Sequence, residues 1–214
     1  MEILKPSLIA LHVAAGVLSL IAALAASSVK ALGLPQRMHV LSGRTFAWAM
    51  LGVCATAIPL SLLGGKLLLL LVAVFSGYLT LTGWRQAVRL RHAHAWIDRT
   101  AAILMMVVAT LMLGWGGLSL RAGASGGVVL LAFGAIGLML SIADVRCWKR
   151  PPEGVERIAQ HMIRMMAATI AVVTALVVVN VRFDPGWVPW IAPTVLLTPV
   201  IVSWSRAIRS GRAS

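Results

Sequence analysis

Charged residues are scarce in this chain, and acidic residues are the scarcest of them. Asp, Glu, Lys and Arg make up 12% of the 214 residues, against about a quarter in soluble domains. Six acidic residues stand against nineteen basic ones, and 60% of the chain is hydrophobic. This composition predicts an integral membrane protein, whose first partner is the lipid bilayer. The net charge of +13 would favour nucleic-acid binding in a soluble domain, but no soluble domain is left to carry it, so we expect no nucleic-acid partner.

Cysteine and the common catalytic motifs are also rare. The two cysteines, Cys54 and Cys147, fall at different depths of the predicted spans, so we expect no disulfide. The chain has no glycine-rich phosphate loop and no His-Glu-x-x-His zinc motif. No acidic residue lies in the middle of an apolar run, which argues against a proton pump built on carboxylates. The first apolar run is near span length, so we expect no cleavable leader.

Long apolar runs are what the chain has in abundance. A helix needs about 20 apolar residues to cross a bilayer. The alternation typical of barrel strands is absent. The sequence therefore predicts an all-α fold, a bundle of seven transmembrane helices that forms a single domain over residues 1–214. The predicted spans are residues 7–27, 39–63, 67–86, 99–119, 127–145, 159–181 and 189–207.

Basic residues are distributed unevenly between the two ends of these spans. Fifteen of the nineteen fall on one side when the spans alternate in direction, and four fall on the other. Loops rich in Lys and Arg stay in the cytoplasm. The distribution therefore predicts an outer N-terminus and a cytoplasmic C-terminus. The four residues on the outer side are Lys5, Lys66, Arg121 and Arg182.

A few ionisable residues lie inside or at the edge of the spans. His12 is about two turns inside the first, His39 and Arg44 open the second, and His161 and Arg164 open the sixth. A charge at the centre of a bilayer costs about 2.5–3.5 kcal/mol on insertion scales, so each is a candidate functional residue. Structural roles are the alternative. The two arginines would snorkel to the interface or pair within the bundle. His39 and His161 would simply lie at the interface, and His12 would bond to a carbonyl of a neighbouring helix.

His39 and His161 form the most specific pattern. Each begins a span from the same side, and each is followed by an arginine about one turn later. Two histidines on facing helices can provide both axial ligands of a b-type haem iron. Arg37, Arg44 and Arg164 would then bind the haem propionates, and electrons would move toward His12 in the outer half. The leading interpretation is a membrane electron-transfer protein with haem b.

Other functions stay open on the same residues. His12, Arg44 and Arg164 would also suit a transporter or channel-like path for a small anion. The small residues of the spans would suit an accessory subunit that binds another membrane protein, or a homo-oligomer. A weaker alternative is a divalent metal held by His92, His94 and Asp98.

Three short segments carry a resemblance to a known family. The segments LHVAAG, RMHVLSGR and HMIRMM resemble bacterial multi-pass membrane proteins grouped as domain of unknown function 2306, with looser similarity to di-haem b-type cytochromes. The resemblance implies a bacterial inner (cytoplasmic) membrane and no settled activity. Met162 and Ile163 separate the histidine from the arginine in the third segment, where the family has basic residues directly after the histidine. The residues that correspond to the family motifs are His12, His39, Gly43, Arg44, His161 and Arg164.

Overall fold

The structure, a computed structural model, describes residues 4–88 and 95–211, and these residues form seven α-helices and no strand. Each helix covers one of the predicted spans, although the sixth helix ends at Asn180, one residue before the sixth span does. Each is long and apolar enough to cross a membrane. The prediction of an all-α chain with seven such helices is confirmed. The helices are α1 (Leu4–Ala31), α2 (Gln36–Leu63), α3 (Leu67–Ala87), α4 (Ala95–Arg121), α5 (Gly126–Arg146), α6 (Gly154–Asn180) and α7 (Val188–Arg209).

Several helices extend beyond the apolar runs that predicted them. α6 begins at Gly154, whereas its apolar run begins at residue 159, and α4 begins at Ala95 rather than at residue 99. The added turns contain charged residues, because a helix continues as long as its backbone bonds are made and does not stop where charged side chains appear. Asp98, Glu156 and Arg157 lie in these turns and matter below.

Large apolar side chains are exposed along the helices. Val179 is 82% exposed, Leu196 is 72% exposed and Leu41 is 69% exposed. In water, contiguous exposed apolar surface of this kind is unfavourable, whereas the hydrocarbon core of a bilayer accepts it. The exposure pattern therefore agrees with helices that are surrounded by lipid.

The chain divides into two compact units, Met1–Leu81 and Thr82–Ser214, with the boundary inside α3. In the first unit α1 packs along α2. Small residues allow this packing, since a Cβ atom on Gly52 would lie 3.8 Å from the Cβ of Ala15. The prediction that residues 1–214 form a single domain stays a prediction.

In the second unit α4 packs along α5, α6 packs along α7, and α5 also contacts α7. A tight turn joins α4 to α5. The amide of Ala124 bonds to the carbonyl of Ser119 at 2.9 Å, and the amide of Gly123 bonds to that of Leu120 at 3.0 Å. Gly123 adopts φ +77°, a left-handed conformation that glycine tolerates best at the end of a helix. The turn makes α4 and α5 antiparallel neighbours.

α4 and α5 come very close to each other at Gly127. A Cβ atom on this residue would lie 2.7 Å from the carbonyl oxygen of Gly116 and 2.9 Å from the amide nitrogen of Leu120. Both neighbours are backbone atoms and cannot rotate away. The absence of a side chain at Gly127 is therefore what lets the two backbones touch, as in other membrane helix pairs with small residues at the contact.

We predict that Gly127→Ala destabilises the protein, whereas Gly126→Ala does not. A Cβ atom on Gly126 would meet nothing within 4 Å, so that variant only gains helix propensity. Overpacking at Gly127 costs about 1–3 kcal/mol. Thermal unfolding of both variants in the same detergent tests this, and equal midpoints would show that the contact is not tight.

Candidate functional site: the polar face of α6

The beginning of α6 presents a row of polar side chains to the end of α3. Arg157, His161 and Arg164 are spaced by four and three residues, so they lie on one face of the helix. All three bond to residues in the last turns of α3. We call this set the polar face of α6. All of these contacts lie within the second unit.

A glycine allows α3 and α6 to come close. A Cβ atom on Gly83 would lie 3.0 Å from the Cβ of Arg164 and 3.0 Å from the sulfur of Met165. Gly83 is also buried. Its missing side chain leaves room for Arg164 and Met165, so α6 lies close enough for His161 to reach the backbone of α3.

His161 bonds to that backbone through one nitrogen. Its Nδ1 lies 2.8 Å from the carbonyl oxygen of Gly83. A carbonyl oxygen only accepts, so Nδ1 carries the proton and donates it. In the neutral ring the lone pair is then on Nε2. Metal-binding histidines commonly have this arrangement, in which a backbone carbonyl fixes the tautomer and orients the ring.

Arg157 satisfies carbonyl groups at the end of α3. Its Nη1 donates to the carbonyl of Gln86 at 2.7 Å and lies 3.5 Å from that of Ala87. The last carbonyls of a helix have no partner within the helix, and a basic side chain also interacts favourably with the negative end of the helix dipole. Arg157 therefore acts as a C-terminal cap that comes from another helix.

Arg164 is a buried charge, and its partner, Asp144, is largely shielded from solvent. Its side chain is 3% exposed, and its Nη2 lies 2.5 Å from Oδ1 of Asp144 on α5. Its Nη1 donates to the hydroxyl of Thr82 at 3.2 Å. The carboxylate neutralises the guanidinium, which a buried arginine requires. The pair connects α5 to α6, and Thr82 adds α3.

Arg85, near the end of α3, forms an ion pair with Asp98 in the first turn of α4. Arg85 forms two bonds to the carboxylate of Asp98, from Nε to Oδ1 and from Nη2 to Oδ2 at 2.7 Å. Bidentate pairs of this kind are the stronger ones. They hold the two helix ends together across the connection between α3 and α4. Asp98 was a weak metal candidate with His92 and His94, and those two histidines lie outside the described residues.

The first unit holds the other two predicted histidines. Nδ1 of His39 lies 3.0 Å from the carbonyl oxygen of Ala26, so this nitrogen also carries the proton. Nδ1 of His12 lies 2.9 Å from the hydroxyl of Thr56. The hydroxyl of Thr56 donates its one proton to the carbonyl of Gly52 at 2.8 Å. Its oxygen can then only accept a hydrogen bond from His12, so Nδ1 of His12 is the donor. His12 and Ala26, the two residues of α1 that make these contacts, are separated by about 21 Å along the helix axis.

The structure brings His161 and Arg164 together on one face of α6, and it places His12, His39 and Arg44 in the first unit. Arg44 is exposed. Within the described ranges, no group of three His, Cys, Asp or Glu side chains is arranged to hold a metal ion. The roles of these residues in binding haem stay predictions.

Three participants were not expected from the sequence, namely Arg157, Gly83 and Thr82. The four- and three-residue spacing of Arg157, His161 and Arg164 was a readable signal of a shared helix face. Nothing in the sequence pointed to the partner face on α3, because its main contribution is a set of backbone carbonyls.

The chain was compared with protein-family models, with curated proteins and with solved structures, and none of the three comparisons gives a match. The resemblance to domain of unknown function 2306 and to di-haem cytochromes therefore stays a prediction, carried by the three short segments alone.

We predict that Asp144→Asn is strongly destabilising, by about 3–5 kcal/mol, because it leaves the charge of Arg164 buried without a counter-ion. Replacing both residues, as in Asp144→Leu with Arg164→Met, is expected to cost much less. Unfolding in detergent measures both free energies.

The matched control is Glu156→Gln. Glu156 pairs with Arg209 at 2.9 Å, but the two side chains are 45% and 43% exposed, and exposed pairs contribute about 0–1 kcal/mol. If Asp144→Asn costs no more than this control, the buried pair is not a stabilising constraint.

Proposed function

We propose that the chain is a multi-pass protein of a bacterial cytoplasmic membrane that holds b-type haem and carries electrons. Its N-terminus lies outside and its C-terminus in the cytoplasm. His39 and His161 are the proposed axial ligands, and His12 lies on the proposed outer side of the electron path.

The observation that carries this proposal is the tautomer of the histidines. In both His39 and His161 a backbone carbonyl accepts the Nδ1 proton, at 3.0 and 2.8 Å respectively. Each neutral ring therefore has its lone pair on Nε2, which is the nitrogen that haem iron takes from histidine. The same orientation of both rings by a backbone carbonyl supports the proposed ligand role.

Haem, when bound, would supply an iron that accepts and releases one electron. The residues of the chain would hold it and set its surroundings. Arg37 and Arg44 are exposed and are the stronger candidates for the propionates. Arg164 is the weaker candidate, because its guanidinium already neutralises Asp144.

The same ion pair weakens the alternative of a path for small anions. An anion would need an arginine whose charge is not already compensated, whereas Arg164 is buried against Asp144. The alternative then depends on Arg44 and His12 alone. We therefore favour the electron-transfer proposal.

The visible spectrum tests this proposal. The protein, expressed with haem supplied and purified in detergent, is expected to show a Soret band that shifts and sharpens on reduction with dithionite. His39→Ala and His161→Ala are each expected to lose this signal while remaining monodisperse on size exclusion. His94→Ala is the control, because it also removes an imidazole but is expected to leave the visible spectrum unchanged.

A colourless preparation would remove the proposal. So would a spectrum that is unchanged in both His39→Ala and His161→Ala, since the haem would then be held elsewhere. Haem content per protein, measured on the same samples, tells whether the two histidines bind one haem or separate ones.

Cysteine labelling tests the proposed orientation. In a background in which Cys54 and Cys147 are replaced, Ser125→Cys lies in the turn between α4 and α5, and Pro151→Cys lies between α5 and α6; both positions are exposed. A membrane-impermeant maleimide is expected to label position 125 on intact cells and position 151 only after lysis. The reverse result would invert the orientation.

A further inference from the structure

One end of the second unit carries far more positive charge than the other. It comprises the ends of α3, α5 and α7 and the beginnings of α4 and α6, together with residues 147–153 between α5 and α6. Ion pairs join these parts, since Asp98 bonds to Arg85 and Glu156 bonds to Arg209. We call it the basic end.

Each carboxylate of the basic end already has a partner within the chain. Asp98, Asp144 and Glu156 each bond to an arginine, and Glu153 also has a partner. Five other basic side chains of this end are exposed, and none of them forms an ion pair with a carboxylate in residues 4–88 and 95–211. They are Arg99, Arg146, Lys149, Arg150 and Arg206. This surplus charge is available to anions from outside the chain.

Tryptophans lie among these cations. The guanidinium of Arg99 stands 5.9 Å from the ring centroid of Trp148, which places the start of α4 beside the loop after α5. The indole nitrogen of Trp148 is buried and has no hydrogen-bond partner in the described part of the chain. Trp96, one turn before Arg99, is 65% exposed, and Trp204 is 43% exposed. Tryptophan prefers the boundary between hydrocarbon and headgroups.

We infer that the basic end binds the headgroups of anionic phospholipids, with Arg99, Lys149 and Arg150 as the principal donors. Arginine donates two parallel hydrogen bonds to a phosphate, and basic side chains at a membrane surface are attracted to anionic lipid. A lipid suits this end better than a soluble anion, because the cations adjoin exposed tryptophans and exposed apolar helix surfaces. This inference rests on the proposed membrane location and not on haem.

The opposite end of the same unit is a natural control. Its exposed basic residues are Arg121 and Arg182, with the exposed Asp184 close to the latter in sequence. Removing both arginines takes away the same charge as removing Lys149 and Arg150. A general effect of net charge would therefore respond equally to the two double variants.

The test measures lipid retention and stability. The full chain is purified in a mild detergent, and its co-purified phosphatidylglycerol and phosphatidylethanolamine are quantified by mass spectrometry. It is then placed in nanodiscs of phosphatidylcholine alone or of an equimolar mixture with phosphatidylglycerol, and thermal unfolding is recorded. We expect enrichment of phosphatidylglycerol and a higher midpoint in the mixture. We also expect Lys149→Gln with Arg150→Gln to lose most of both effects, whereas Arg121→Gln with Arg182→Gln keeps them.

Equal responses of the two double variants would overturn the inference, as would a midpoint that is the same in both nanodiscs. Inorganic phosphate added to phosphatidylcholine nanodiscs distinguishes the source of the anion. If it raises the midpoint as much as phosphatidylglycerol does, the site takes free phosphate and the assignment to lipid is wrong. The cysteine labelling of positions 125 and 151 is independent of all these outcomes, so a failure here is separable from a failure of the proposed orientation.

Discussion

Two backbone carbonyls at the end of α3 accept hydrogen bonds from side chains of α6. His161 donates to the carbonyl of Gly83, and Arg157 donates to that of Gln86. The carbonyl of Gln86 lies in the last turn of α3 and has no partner within that helix. The donors sit at fixed positions on α6, so a shift of this helix by one turn would break both bonds at once. A requirement of the backbone thus sets the register of α6 against α3 and fixes the orientation of His161.

The buried pair of Arg164 and Asp144 adds a different constraint. A buried ion pair often contributes little net stability compared with well-packed apolar residues, but losing one partner is costly. Such a pair therefore acts mainly by excluding alternative packings, in which either charge would face lipid alone. Together with Arg85 and Asp98, it connects the adjacent ends of α3, α4, α5 and α6. The chain has six acidic residues, and two of them, Asp98 and Asp144, connect helices in this way.

The helices could be predicted from the sequence because spanning a bilayer requires a minimum apolar length, which can be counted. The polar residues inside the spans could be named for the same reason, since His12, His161 and Arg164 stand out against apolar neighbours. Their partners could not be predicted. A carbonyl such as that of Gly83 belongs to every residue and leaves no signal, and the close approach of two backbones depends on packing. The functional proposal rests partly on the tautomer of His161. That tautomer depends on the carbonyl of Gly83 and on the close approach of α3 and α6.

The two roles of positive charge in this chain rest on different residues. The orientation of a membrane protein is decided while its helices insert, before Arg85 and Arg164 have paired with their carboxylates. Acidic residues contribute little to this decision. All fifteen basic residues on the predicted cytoplasmic side therefore count for the predicted topology. In the folded protein Arg85 and Arg164 are neutralised, and only the exposed, unpaired cations attract lipid headgroups. Replacing Arg85 or Arg164, whose side chains are buried, thus acts on insertion and packing, whereas neutralising Lys149 and Arg150 acts on the surface of the folded chain.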